Sequence, residues 1–362
     1  MAPPSQINAV VIIKPGTAEV KTVPLPELPD DYILVRTTAV ALNPTDWKHI
    51  ERDADAVGAR VGCDYAGIVE QVGPKVNKPF AKGDRICGIA HGANSLRLDS
   101  GAFGDYIIVK GDLQIKIPDN LSNEEAATLG VAISTVGQGL YQALQLPLPG
   151  TPEAASPSNP PTEILIYGGS TATGLVGIQF AKLSGYRVAT TCSPSNFEYV
   201  KALGADAAFD YRSPTVVDDI KAWSRDPDAL TLAWDCIAID GAAEICAAVL
   251  SRSRSSHYRA LLSVEDEAIT AVNEKVDNGA TLGYTILGEE IKKGGRDIPA
   301  IPEDYEFGKK FWEVSSGLLA EGKIKPARTD VNRGGKGLEG VLVGLEELKA
   351  GKVSGVKLVY TL

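Results

Sequence analysis

The chain has 362 residues, enough for two domains that each bury a core. Hydrophobic residues make up 44% and charged residues 23%, and the net charge of -10 excludes a general binder of nucleic acid or anionic membrane, because such binding needs concentrated positive charge. No apolar stretch approaches the roughly 20 residues of a transmembrane helix. The opening MAPPSQINAVVIIKPG lacks the basic region and long apolar core of a signal peptide. Cys63, Cys87, Cys192, Cys236 and Cys246 follow no metal-type or disulfide-type spacing, which predicts a reducing, cytoplasmic setting.

Residues 7–120 read as β-rich, with strands expected over 8–14, 32–41, 66–72, 85–89 and 104–109. Turn signals such as Lys14-Pro-Gly16 and Lys82-Gly-Asp84 separate them. Asn43-Pro-Thr-Asp46 is expected to open a short helix capped by Thr45 or Asp46, with Lys48 in its first turns. A helical stretch is expected over 124–144. Residues 146–163 are rich in Pro, Ser and Ala, carry no core-forming pattern and predict an exposed loop without regular structure.

The most informative segment is 163–182, EILIYGGSTATGLVGIQFAK. An apolar run, Ile164 to Tyr167, reads as a buried strand. A small-residue turn follows from Gly168 to Gly174, and Leu175, Ile178, Gln179 and Ala181 then repeat at helical spacing. Strand, glycine-rich turn and helix is the arrangement that holds a dinucleotide pyrophosphate, with the free N–H groups at the helix start aimed at the anion. Gly169 and Gly174 fit the G-x-G-x-x-G template, while Thr171 stands in the middle glycine's place. A second strand, 187–191, completes a βαβ unit. No carboxylate follows it to meet a ribose 2′-hydroxyl; Cys192, Ser193, Pro194, Ser195 and Asn196 do, with Lys201 further on. That favours a 2′-phosphate, hence NADP. An ordinary turn with a helix cap at Ser195 or Asn196 is the structural alternative.

Further strands are expected over 207–210, 232–236, 258–264 and 281–287, at a spacing that suits a parallel sheet. A helix near 304–322, a segment at 324–329, a helix over 337–350 and a final strand over 355–360 complete the chain. There is no internal repeat.

Ala41-Leu-Asn-Pro-Thr-Asp46, Gly62-Cys-Asp-Tyr-Ala-Gly-Ile-Val69, Val72-Gly73, Gly83-Asp-Arg85 and Gly101-Ala-Phe103 fall at intervals that resemble medium-chain dehydrogenases/reductases. Within that superfamily the chain looks like the zinc-independent quinone-oxidoreductase branch. Tyr-Gly-Gly-Ser-Thr-Ala-Thr173, Cys-Ser-Pro-Ser-Asn-Phe197, Phe-Asp-Tyr-Arg212 and Ala-Ile-Ser-Thr135 make it similar to the fungal trans-acting enoyl reductases that serve polyketide synthases, among them the lovastatin enoyl reductase.

The resemblance implies an α/β fold: a GroES-like β-rich catalytic domain from both ends of the chain (1–128 and 300–362) and a Rossmann domain, a doubly wound parallel sheet, between them (129–299). It implies that NADPH lies in the cleft. Thr45, Asp46, Trp47 and Lys48 would touch the cofactor, and Ser170, Thr171, Ala172 and Thr173 would cradle its phosphates. Ser193, Pro194, Ser195, Asn196 and Lys201 would meet the 2′-phosphate with Tyr211 nearby, Leu261 and Leu262 would flank the nicotinamide, and Val353 and Ser354 would close over it. Substrate would run along Gly130, Val131, Ala132, Ile133, Ser134, Thr135, Val136, Gly137 and Gln138, and along Leu282, Gly283, Tyr284, Thr285 and Ile286. The run from Val131 to Gly139 reads equally as helix packing.

Zinc alcohol dehydrogenases share this fold, and their catalytic zinc needs three soft or imidazole ligands and an open position. The matching places hold Asn43, Cys63 and Val131, of which an aliphatic side chain cannot ligate and an amide oxygen is a poor ligand. No metal is expected, and Cys63 and Asp64 read as packing and supporting residues. Without a metal, a nicotinamide cofactor can deliver hydride to the β-carbon of an enoyl thioester, provided that the enolate oxygen is stabilised and a proton reaches the α-carbon. Lys48 is the candidate catalytic residue at that oxygen. Some related mitochondrial enoyl reductases use a tyrosine in the loop after this helix, but residues 49–62 contain none, which leaves solvent as one source of the proton. Tyr65 reads as core, and His49, His91 and His257 have no partner that spacing identifies.

Three functions remain in view: an NADPH-dependent enoyl reductase on a carrier-bound polyketide, a quinone or enone reductase on free small molecules, and a noncatalytic nucleotide-binding partner of a synthase. For the first, the resemblance implies as partner a highly reducing polyketide synthase, or its hybrid with a peptide synthetase, engaged through the acyl carrier domain. Many relatives dimerise through the last Rossmann strand, expected at 281–287. Glycines punctuate that segment, and a monomer is expected.

Overall fold

The computed structural model describes residues 3–52, 54–156, 158, 160–239, 241–293 and 295–362. The chain divides into two compact units. One comprises the residues up to Ser134 together with Tyr284–Gly322 and Pro326–Leu362; the other comprises Thr135–Gly283 and Lys323–Lys325. The division therefore falls after Ser134, where 128 was expected, and the return falls at Tyr284, where 300 was expected.

The discontinuous unit is built on a seven-stranded sheet. Its path runs Thr329–Val331, Lys357–Thr361, Tyr32–Ala41, Asp64–Val72, Arg85–Ile89 and Gln114–Lys116, with Tyr106–Lys110 also pairing to Tyr32–Ala41. Tyr32–Ala41 is buried along most of its length and takes neighbours from both ends of the chain, pairing Val40 with Tyr65 and with Tyr360. The core behind it joins Val10, Ile33, Val69 and Phe103 to Val341, Leu345 and Tyr360 from the C-terminal segment. A hairpin of Gln6–Lys14 and Thr17–Pro24 adds a strand that the hydrophobic pattern does not announce, because Thr17–Pro24 is largely solvent-facing.

The other unit carries a six-stranded parallel sheet in the order Ala207–Phe209, Arg187–Thr191, Glu163–Tyr167, Leu230–Asp235, Ser256–Ala260, Val276–Ala280. In chain order this is the doubly wound 3-2-1-4-5-6 arrangement, whose direction reverses between Glu163–Tyr167 and Leu230–Asp235. Glu163–Tyr167 is buried at every position, as a central parallel strand should be.

Four expectations are corrected. The last strand is Val276–Ala280, and 283–287 is a 3₁₀ turn, so the edge available for pairing lies earlier than 281–287. The stretch 124–144 is interrupted: a turn at Asn123–Ala126 with a Ser122–Glu125 capping box precedes Gly130–Val136, which runs into a π-helical segment, Gly137–Ala143. The loop at 146–163 holds one helical turn, Pro152–Ala155, capped by Thr151, while Pro157 and Asn159 lie outside the described residues. The helix near Lys48 spans Pro44–Arg52 and so starts ahead of both expected caps, Thr45 and Asp46; Asp46 instead reaches back to accept the Asn43 N–H at 2.7 Å. Among the described residues no helix is long and apolar enough to cross a membrane.

Candidate active site and cofactor cradle

In the parallel-sheet unit the turn after Glu163–Tyr167 is held by its own hydroxyls. Thr171 Oγ1 donates to the Gly168 carbonyl at 2.8 Å and accepts the Gly174 N–H at 3.0 Å, capping the helix Ala172–Leu183. Thr191, at the end of the next strand, accepts the Gly168 N–H at its hydroxyl (3.0 Å) and the Gly169 N–H at its carbonyl (2.9 Å). Gly168 has φ +83, and a Cβ there would meet Ile237 at 2.7 Å; one on Gly169 would meet Thr190 Oγ1 at 1.9 Å. Both glycines are therefore required by geometry. Ser170, Thr171, Ala172 and Thr173 stay half-exposed beside a fully buried strand, with Ala172 and Thr173 opening a 12-residue helix. N–H groups at such a helix start suit a phosphate, and the turn sits at the reversal point of the sheet. The residues present thus fit a dinucleotide.

Ser193, Pro194, Ser195 and Asn196 follow the strand Arg187–Thr191 as a short 3₁₀ turn, with Asn196 buried. Asp210, Tyr211 and Arg212 follow the neighbouring strand, whose Phe209 lies opposite Thr191, so both loops occupy one end of the sheet. Lys201 is turned toward Glu198 at 3.7 Å. Arg212, which the reading of the sequence did not single out as a ligand, lies over the Tyr211 ring at 5.3 Å and pairs with Asp210 at 3.1 Å. Its presence in Phe-Asp-Tyr-Arg212 was the available signal. Leu261 and the exposed Leu262 follow Ser256–Ala260 at the same end.

The discontinuous unit gathers a buried polar cluster. Lys357, only 4% exposed, donates from Nζ to Asp64 Oδ2 at 2.7 Å and to Asn43 Oδ1 at 2.5 Å. Asn43 Nδ2 donates to the same Asp64 oxygen at 2.9 Å, and the Val131 N–H donates to Asp64 Oδ1 at 2.6 Å. Of the positions compared with a zinc site, Asn43 thus serves a buried ammonium together with Asp64. Burial pushes the Cys63 thiol well above its ordinary range, so the sulfur keeps its proton. This donor set does not fit a catalytic zinc.

Beside it stands Tyr284. Its hydroxyl lies 3.1 Å from Thr45 Oγ1 and 3.3 Å from Cys63 Sγ, and its ring stacks on His91 at 4.3 Å between centroids. Thr45 Oγ1 is 3.2 Å from His49 Nε2, which in turn lies 2.8 Å from Lys293 Nζ. Burial and the Lys293 charge push both His49 and His91 down to about 3, so both rings are neutral. Burial raises Asp46 to about 7.

The structure brings Thr45, Asp46 and Tyr284 together. Lys48 is half-buried, with its Nζ 5.7 Å from the Trp47 ring, and its ammonium is drawn down by burial and then by Arg52 and Lys293. Trp47 packs partly against the core. Several expected substrate residues are core instead: Ala132, Ile133 and Ser134 are at most 1% exposed, and Ser134 accepts the Trp312 N–H. Gly130 faces the Gly88 carbonyl, and Gly139 faces the Trp234 indole, so close packing accounts for these small residues. Val136, Gly137 and Gln138 are buried too, whereas Val131, Leu282 and Gly283 are half-exposed. A Cβ on Gly283 would lie 3.6 Å from Thr135 Oγ1, Thr285 bonds to Asp304, and Ile286 is fully buried. Val353 leans on the core, and Ser354 is exposed.

Residues 29–119 match the alcohol dehydrogenase GroES-like domain. The chain is 46% identical over 363 aligned residues to the trans-enoyl reductase resD of Aspergillus sclerotiorum, covering 98% of this chain and 99% of the relative. It is 56% identical to the trans-enoyl reductase TOXD of Cochliobolus carbonum, covering 79% of this chain and 92% of that one. In fold it is similar to the quinone oxidoreductase from Coxiella burnetii, with a TM-score of 0.70 at 22% identity and 99% of each chain covered.

Proposed function

The chain belongs to the trans-enoyl reductase family, and we propose that it reduces the α,β-double bond of a polyketide thioester held on the acyl carrier domain of a separate polyketide synthase. The observation that carries this reading is the 46% identity to a trans-enoyl reductase across 98% of the chain. When bound, the nicotinamide cofactor supplies the hydride for the β-carbon. The chain's own residues bind, orient and stabilise. Ala172 and Thr173 N–H groups hold the pyrophosphate, while Ser193, Asn196 and the cations Lys201 and Arg212 meet an adenosine 2′-phosphate. Lys48 donates toward the thioester oxygen as negative charge develops there. Such donors work by being fixed before the charge appears.

NADPH is the preferred cofactor on this reading. Losing one charge-assisted phosphate contact costs about 1.5–3 kcal/mol, a factor of about ten or more in affinity. Fluorescence titration should therefore give a dissociation constant for NADPH at least about tenfold below that for NADH. Equal constants would remove the 2′-phosphate contact. The reaction itself is tested by comparing a 2-enoyl pantetheine thioester, a carrier-bound enoate and a free quinone. Turnover of the quinone alone would replace this reading with a quinone reductase, and cofactor binding without turnover of any of them would leave a noncatalytic partner. Light scattering is expected to give a monomer.

A further inference from the structure

We propose that the Tyr284 hydroxyl delivers the proton to the substrate α-carbon and that it is recharged from Lys293 through His49 and Thr45; this rests on the enoyl-reductase reading above. The phenol is buried among polar groups, whereas a tyrosine serving only to fill space has no need of a hydroxyl-bearing chain behind it. The chain here is continuous: Tyr284 Oη to Thr45 Oγ1 at 3.1 Å, Thr45 Oγ1 to His49 Nε2 at 3.2 Å, His49 Nε2 to Lys293 Nζ at 2.8 Å. His49 also bonds to the Gly92 backbone, and the relay takes Nε2, the nitrogen that faces both Thr45 and Lys293, as the acceptor. Nε2 therefore takes the Thr45 O–H and a Lys293 N–H, and Thr45 Oγ1 takes the Tyr284 O–H. Thr45 and Lys293 thus both donate toward Nε2 at rest, and Lys293, half-exposed at the far end, is the reservoir.

The balance closes. The hydride that a bound reduced nicotinamide would give up, becoming oxidised, forms the β-carbon C–H bond, and the electron pair of the former double bond becomes the enolate. The Tyr284 O–H bond breaks, the α-carbon C–H bond forms, and the phenolate remains. Thr45 rotates its hydroxyl and passes its proton to the phenolate. It takes one from His49 Nε2, which has received it from the Lys293 ammonium, and water reprotonates the Lys293 amine. The groups facing Tyr284 serve this order: His91 stacks on the ring as a neutral imidazole, Cys63 stays a thiol, and the Lys293 ammonium lies 5.4 Å from the ring centroid, where it favours the phenolate.

The test is the Tyr284→Phe enzyme on 2-butenoyl pantetheine and NADPH in D2O, with the α-CHD configuration read by NMR and NADPH affinity and melting temperature as controls. Wild type should place deuterium in one α-configuration. The variant should lose about 100-fold or more in turnover, the usual worth of a positioned acid, while keeping NADPH affinity and giving both α-configurations. Wild-type turnover in the variant, an unchanged single configuration, or mixed configurations from wild type itself would each overturn the relay. No turnover by wild type on any enoyl thioester would overturn the enoyl-reductase reading instead. Should the Phe variant lose its melting transition, Lys293→Met decides: a larger solvent isotope effect at unchanged NADPH affinity supports the relay, and a wild-type isotope effect overturns it.

Discussion

Lys48→Ala cuts turnover of a 2-enoyl thioester by about 100- to 1,000-fold, the cost of removing one preorganised donor from a water-poor site. The fold stays intact in this variant, because a half-exposed lysine on the helix Pro44–Arg52 contributes little to stability. Among the described residues no carboxylate pairs with Lys48, while Arg52 and Lys293 crowd it electrostatically. Its ammonium is held near other cations by the fold, a cost that is offset when an anion or a developing enolate arrives. The checks are steady-state turnover, NADPH affinity and thermal melting. A large loss of NADPH affinity reassigns Lys48 to holding the cofactor. Near-wild-type turnover removes it from the mechanism and leaves backbone donors and solvent to stabilise the enolate.

Lys357→Met is expected to have the largest effect on stability. Among the described residues the ammonium is the only cation paired with the fully buried Asp64 carboxylate, and Asn43 leans on both. Removing one partner of a buried pair costs about 3–5 kcal/mol, because the other charge is left uncompensated. The double variant Lys357→Met/Asp64→Asn should recover much of that loss, since the neutral amide no longer needs the cation. Urea unfolding of the two single variants and the double variant measures the coupling. Additive losses would show that the pair contributes nothing as a pair.

The elements legible in the sequence were those whose burial alternates or runs unbroken. Tyr32–Ala41, Arg85–Ile89 and Arg187–Thr191 have the bounds that their apolar patterns predict. Elements that carry little buried surface were not legible, such as Thr17–Pro24 and the short hairpin Ile291–Lys293 with Arg296–Ile298. Gly283–Leu287 was misread for another reason. Its apolar residues are buried as a strand's would be, yet the chain has already left the sheet after Ala280. The strand, turn and helix proposed to hold a pyrophosphate were legible because the turn is one contiguous run, Gly168 to Gly174. The cluster around Tyr284 was not, since only long-range packing brings Tyr284 and Lys293 to Thr45, His49 and His91. Tyr284, whose ring packs near both His49 and His91, and Lys293, which meets His49, stand far along the chain from those histidines, whereas His257 meets Asp277 on the neighbouring strand. Arg212 has no spacing that marks it among the chain's cations; its place over the Tyr211 ring emerges only in the fold.

The strand Tyr32–Ala41 cannot complete its sheet until Lys357–Thr361 has been synthesised, because that late strand pairs with it directly and brings the cation for Asp64. The parallel-sheet unit needs far less waiting: apart from 323–325, which Gln179 clasps through its amide, it is one continuous stretch. Since closing long loops is entropically costly, the nucleotide unit is expected to become ordered on the ribosome while the β-rich unit is still incomplete. A chain cut after Ser354 should then protect amides over 163–280 from hydrogen exchange and lose protection over 32–72. Protection of both regions would show that the late strand is dispensable. On the proposed function, the unit that would hold the cofactor is then expected to order first, and the unit that carries Lys48 and Tyr284 to be completed last.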